Sequence, residues 1–146
     1  PDEVEAYCHN AFNTGQLERE LLAPLRKSGS VRASLRLLDV DRDEYSMQKS
    51  WDIKPGTLVI LEGSLLLRPP LADYIDYSVH LEVEWDEMLR RARLRDADRF
   101  GEDTEQRYRR KYIPVQQRYI EEHRPHLTAD LVVDNNDVDA PAVVSS

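Results

Sequence analysis

The stretch Thr57-Leu58-Val59-Ile60-Leu61-Glu62-Gly63 carries the reading of the fold. Five consecutive β-branched or apolar residues, with no polar alternation, predict a strand buried on both faces, as in a parallel sheet flanked by helices. Pro55-Gly56 supplies a turn before it, and Glu62-Gly63 ends it. Ligands of open parallel sheets sit outside the carboxyl ends of the strands, so Glu62 is predicted to face a cleft. A carboxylate there suits Mg²⁺ or its water shell. The plainer alternative is a strand-end Glu that caps a loop or meets a Lys.

Working outward, Asn13-Thr14 is a plausible N-cap, and Leu17, Leu21, Leu22 and Leu25 follow at helical spacing. Ser28-Gly29-Ser30 stops that helix. Val31 to Leu38 and Tyr45 to Ile53 read as extended segments around an acidic turn, Asp39 to Asp43. Downstream, a strand is predicted from Tyr77 to Val83, then a helix from about Asp86 with Met88, Leu89 and Ala92 on one side. Arg99-Phe100-Gly101-Glu102-Asp103 breaks it. A further helix from about Thr104 sets Tyr108, Tyr112, Val115 and Tyr119 on one face, and Pro114 is expected to kink or restart it. Ala129 to Val133 is the last strand. Strands alternating with helices predict an α/β three-layer fold with a mainly parallel sheet. One domain over 1–146 is expected, with an acceptor-binding hairpin over 31–53 and a lid region over 86–112.

Composition narrows the function classes. Apolar residues make up 40% and charged residues 33% of the 146 residues, the balance of a globular domain. No apolar run approaches the roughly 20 residues that cross a bilayer, and the acidic start is no signal peptide. The opening residue is Pro1, not Met, so further residues are expected upstream. Cys8 is the single cysteine, which excludes an internal disulfide and fits a cytoplasmic setting. A net charge of −8 argues against nucleic acid. Yet Arg90 to Tyr112 holds nine basic and five acidic residues. An acidic protein with one basic segment suggests a small anionic ligand. Arg91 and Arg95 are four apart, on one helical face, and guanidinium groups suit phosphoryl oxygens. The alternative for both is a solvated charged face.

Taken in order, these segments resemble the uridine kinase family of P-loop kinases (the uridine kinase and phosphoribulokinase group). Thr57 to Gly63 is similar to its V-I-x-E-G strand, and Asp73 to Val83 to its next strand. Arg91 to Asp96 with Arg99-Phe100-Gly101 resembles its lid pattern. Lys111-Tyr112-Ile113-Pro114 resembles the helix after the lid, and Ala129 to Asn135 the closing A-D-v-v-v-D-N. The resemblance implies ATP-dependent phosphorylation of a small hydroxylated metabolite, such as uridine or cytidine, with ATP and Mg²⁺ as cofactors. It implies Glu62 beside Mg²⁺, Arg91 and Arg95 as catalytic lid arginines, Arg95 and Arg99 on the triphosphate, and Asp39 and Tyr112 on the acceptor. It implies no nucleic-acid or membrane partner, and homo-oligomers are compatible with it.

Two departures stand out. No G-x-x-x-x-G-K-[ST] occurs in the sequence, so the phosphate cradle expected of the family is not among these residues. Residues 1–146 by themselves are therefore expected to be inactive. The stretch Leu38 to Asp43 also carries neither the Tyr nor the His of the family's Y-D-x-x-x-H hairpin segment. A rival reading is a catalytically inactive homologue that serves as a binding or regulatory module. Without the aromatic and imidazole partners, selectivity for a pyrimidine base is not expected. A phosphorylation screen over nucleosides and other hydroxyl compounds checks this; strong preference for uridine contradicts it.

Overall fold

The computed structural model describes residues 13–39, 42 and 44–145. Cys8, His9 and most of the acidic hairpin turn lie outside these residues. The described chain divides into two compact units, one ending at Tyr74 and one beginning at Ile75.

The first unit opens with a helical run over 14–28, here α1. Asn13 caps it, its Oδ1 accepting the Gln16 N–H at 3.1 Å. Within α1, Glu18–Leu22 is a π-helical turn, in which the Ala23 N–H donates to the Glu18 carbonyl. Pro24 follows at once. A proline ring clashes with the carbonyl four residues back, and the wider π turn relieves that crowding. Gly29, at φ 70°, ends α1 in the left-handed region, and its N–H donates to the Leu25 carbonyl at 2.8 Å.

Strand β1 (Val31–Asp39) and β2 (Glu44–Ile53) form the expected antiparallel hairpin, in register from Val31 opposite Ile53 to Leu37 opposite Met47. A bulge lies between Leu37 and Asp39. Ala33, Leu35 and Ile53 are buried, whereas Arg32, Ser34 and Arg36 are exposed. This period-2 alternation turns one face of the hairpin onto Leu21 and Leu22 of α1 and onto Leu71. Tyr74 secures the end of the unit, its hydroxyl donating to Glu18 Oε1 at 2.9 Å.

The decisive stretch of the sequence folds otherwise than predicted. Residues 57–63 form no strand, and Leu58 and Ile60 are 85% and 83% exposed. A run of β-branched residues favours extended backbone, but a strand also needs a neighbour to satisfy its N–H and C=O groups. Among the described residues the first unit has one sheet, the β1–β2 pair, and residues 57–63 do not join it. Glu62 accordingly does not stand at the end of a strand.

The second unit holds a three-stranded sheet in the order β3-β4-β5. Strand β3 (Val79–Glu82) runs parallel to β4 (Leu131–Asp134), and β5 (Ala142–Ser145) runs antiparallel to β4. Helix α2 (Trp85–Phe100) follows β3. After a 3₁₀ turn, Gly101–Asp103, a helical run over 104–123 (α3) and a short helix α4 (Pro125–Thr128) lead to β4. Pro114 lies inside this continuous run, and a second π turn, Tyr108–Tyr112, directly precedes Ile113-Pro114. Leu89 and Ala92 of α2 pack against Tyr108 and Ile113 of α3, with Trp85, Met88 and Tyr112 around them.

The described chain is thus mixed α/β. Its strands make two small sheets with one parallel pair, and a three-layer architecture on a mainly parallel sheet is not what they form. Burial sets the energetic contrast. Leu89→Ala, at a site 1% exposed, should lower the stability of the second unit by about 2–5 kcal/mol. Leu58→Ala should stay within about 0.5 kcal/mol of wild type. Urea unfolding of both variants checks the pair.

Candidate functional site

The carboxyl ends of β3 and β4, where a ligand of a parallel pair belongs, are occupied by a network of the protein's own groups. Helix α2 starts without a side-chain cap of its own. Asn136, just past β4, serves instead, its Oδ1 accepting the Glu84 N–H at 2.8 Å. Asp134 Oδ1 in turn accepts the Asn136 backbone N–H and Nδ2, each at 2.8 Å. Arg91 closes the network. Its Nη2 donates to the carbonyls of Asn135 and Asn136 at 2.5 and 3.0 Å, and its Nε to Glu87 Oε1 at 2.7 Å. Glu87 also accepts Arg90 Nε and Nη2 at 2.6 and 2.7 Å. The hydrogen bonds from Arg90 and then Arg91 hold the Glu87 carboxyl down at about 2. Arg91 thereby ties α2 to the chain that leaves β4.

One turn further along α2, Arg95 sits in a different setting. Its Nε and Nη2 meet the two oxygens of Asp96 at 2.9 and 3.2 Å, and Nη2 also donates to the Tyr108 hydroxyl at 2.6 Å. Tyr108 donates to Asp96 Oδ2 at 2.8 Å, completing a ring of three residues. The Arg95 hydrogen bond depresses the Asp96 carboxyl. Burial, then the bond to Asp96, pushes the Tyr108 phenol up to about 12. Arg95 nonetheless keeps 72% of its side chain exposed. A guanidinium so held is oriented in advance while remaining open to solvent.

The α2–α3 turn carries further cations. Glu105 bridges Arg93 and Arg109, at 2.5 and 2.8 Å. The guanidinium groups of Arg99 and Arg107 lie 5.1 and 4.5 Å from the Phe100 ring centroid. Buried Thr104 fastens the turn, its Oγ1 donating to the Gly101 carbonyl at 2.8 Å.

The sequence-derived candidates therefore divide. Arg91, Arg95, Arg99 and Tyr112 belong to the second unit, and Asp39 and Glu62 to the first. Tyr112 packs against the buried cluster of its unit, its ring centroid 4.8 Å from that of Tyr108 in an edge contact. Asp39 accepts the Arg42 N–H at 3.3 Å beside the hairpin turn. Glu62 is exposed in the irregular segment. Among the described residues no group of three or more His, Cys, Asp or Glu gathers as a metal site. Sequence reasoning did not single out Glu87, Asn136 or the hydroxyl of Tyr108. The Glu87–Arg91 spacing of four was a readable signal for the first; the other two meet their partners only through tertiary packing.

The chain matches no family model, and no curated protein or solved structure was found to be similar to it.

The depressed Glu87 carboxyl gives a signed prediction. Its folded value, about 2, lies below the ordinary 4.5, so its contribution to stability is complete above about 4.5 and is lost as pH falls toward 2. Acid unfolding of Glu87→Gln should be shallower than wild type across that window, followed by circular dichroism. At the alkaline end, Tyr108 should ionise near 12, and Tyr108→Phe should remove that late step from the ultraviolet titration of the phenols.

Proposed function

We propose that the chain works in ATP-dependent phosphoryl transfer to a small hydroxylated metabolite, in the manner of the uridine kinase and phosphoribulokinase group that its motifs resemble. The observation that carries this reading is Arg95. Its exposed guanidinium is held by Asp96 and Tyr108 before any ligand arrives. Donors fixed in advance stabilise the charge that develops on transferring oxygens without reorganising at the moment of reaction. Loose phosphoryl-transfer transition states depend on that kind of help. Arg99, four residues on, would extend the same basic face toward the triphosphate.

In this reading α2 and the start of α3 are a lid that turns at Gly101, whose φ of 56° and ψ of −139° suit glycine. By the resemblance alone, the hairpin of the first unit, with Asp39, would bind the acceptor. Glu62 is the residue that would supply a carboxylate oxygen to hydrated Mg²⁺. Mg²⁺ usually takes one or two carboxylates, with waters and substrate phosphates completing its octahedron. One exposed carboxylate in an irregular segment does not build such a site, and no step of the proposal runs through the ion. The finer fold assignment, to the P-loop kinases, is part of the same proposal.

A second reading, a binding module without catalysis, is favoured by Arg91. Its Nε and Nη2 already serve Glu87 and two backbone carbonyls. Catalysis in this proposal accordingly rests on Arg95, and Arg91 positions the helix that bears it.

Transfer of labelled γ-phosphate to a panel of nucleosides and polyols, in the intact protein, tests the proposal. Arg95→Ala should cost on the order of 10²-fold or more in turnover, with unchanged circular dichroism. ATP binding without transfer would favour the binding module. Absence of ATP binding in the intact protein would overturn the phosphotransferase reading.

A further inference from the structure

Two arginines of the α2–α3 turn are held differently from the rest of the basic segment. The guanidinium carbons of Arg99, in the last turn of α2, and Arg107, in the first turn of α3, lie over the ring of half-buried Phe100, 5.1 and 4.5 Å from its centroid. Elsewhere on these helices a carboxylate orients the arginine and takes up its donors, as Glu87 does for Arg90 and Glu105 for Arg93 and Arg109. A ring face attracts a cation through its quadrupole and occupies no N–H. An arginine held in that way keeps the whole donor fork that suits phosphoryl oxygens. Arg107 is exposed and, among the described residues, enters no ion pair.

Arg99 joins this stack to the Arg95 ring. Its charge acts on the Asp96 carboxylate that Arg95 and Tyr108 share. Arg95 and Arg99 are also one helical turn apart on one face. Residues 95–107 hold three arginines and five acids. That balance offers no net attraction to a long polyanion such as RNA, whose binding follows total charge. A short anion met by donors at hydrogen-bond range is bound on other terms, and successive phosphates call for several such donors. We infer that Arg107 is a third guanidinium of the site that Arg95 heads, that Phe100 positions it, and that the site takes a linear polyphosphate, the triphosphate of ATP. The inference rests on the phosphotransferase reading for the identity of its ligand; the place of the site rests on the stack.

Calorimetric titration of the intact protein with inorganic tripolyphosphate tests the site without acceptor or transfer. Arg107→Gln should weaken binding by about tenfold or more, the worth of one charge-assisted hydrogen bond. Arg110→Gln removes the same charge from another exposed position of α3 and should weaken it by less than about threefold, since screened charges act weakly at a distance. Phe100→Leu keeps apolar bulk without the quadrupole and should cost about threefold or more, whereas Phe100→Tyr should bind like wild type. Arg107→Gln, at an exposed site, decides the matter if Phe100→Leu fails to fold. Absence of tripolyphosphate binding overturns the inference. So does an equal loss in Arg107→Gln and Arg110→Gln, which would mark diffuse surface charge, or tighter binding of single-stranded RNA than of tripolyphosphate. Phosphate transfer by a protein whose tripolyphosphate affinity ignores Arg107 sinks the inference and leaves the kinase reading standing. Arg107-dependent binding in a protein that transfers nothing keeps the site and removes the kinase reading.

Discussion

The second unit is organised by the short network at the exit of β4. Asp134 orients Asn136, and Asn136 caps the start of α2 by accepting the Glu84 N–H. Arg91 then binds the carbonyls of Asn135 and Asn136 from nearly two turns up the same helix. A helix end leaves N–H groups without partners inside the helix, and α2 has no side-chain cap of its own. The turn after β4 meets both demands, so the direction of α2 is referenced to the sheet and not to the loop that enters it. The other end of the strand pair is tied similarly, with the Ser78 N–H and hydroxyl both donating to Asp130 Oδ2 at 2.7 Å.

This arrangement changes what the basic segment can do. Surface ion pairs contribute little to stability, commonly 0–1 kcal/mol, so the many Arg–Glu contacts along α2 and α3 are better understood as orientation than as adhesion. Arg91 is half-buried and committed to the protein. Arg93 and Arg109 share Glu105. Arg95 alone of these combines an exposed side chain with a hydrogen bond to a buried phenol, Tyr108. Position within one helix, four residues apart, thus separates an arginine committed to backbone carbonyls from one that stays exposed.

Both long helical runs carry a π turn directly ahead of a proline, Pro24 and Pro114. The repeated solution has a common cause. Proline removes an N–H and crowds the preceding turn, and one wide turn absorbs both effects without ending the helix. Apolar faces on either side stay in use. Leu21 and Leu22 precede and Leu25 follows Pro24 in the first core, and Ile113 precedes and Val115 and Tyr119 follow Pro114, all three buried.

The sequence by itself determined the local elements. Helical spacing of Leu17, Leu21, Leu22 and Leu25, the Asn13 cap, the Gly29 stop, and the extended segments Val31 to Leu38 and Tyr45 to Ile53 reappear as α1 and the β1–β2 hairpin, because each is written within a few residues. The same holds for β3, β4 and the helices between them. What only the tertiary structure decided is pairing. Thr57 to Leu61 has the strongest strand composition in the chain, yet it remains irregular, since β structure is completed by a neighbour that no periodicity specifies. Likewise the spacing of Arg91 and Arg95 set both on one helical face. Their different occupations came from Asn135, Asn136 and Tyr108, residues 13 to 45 positions away that packing brings to their side chains.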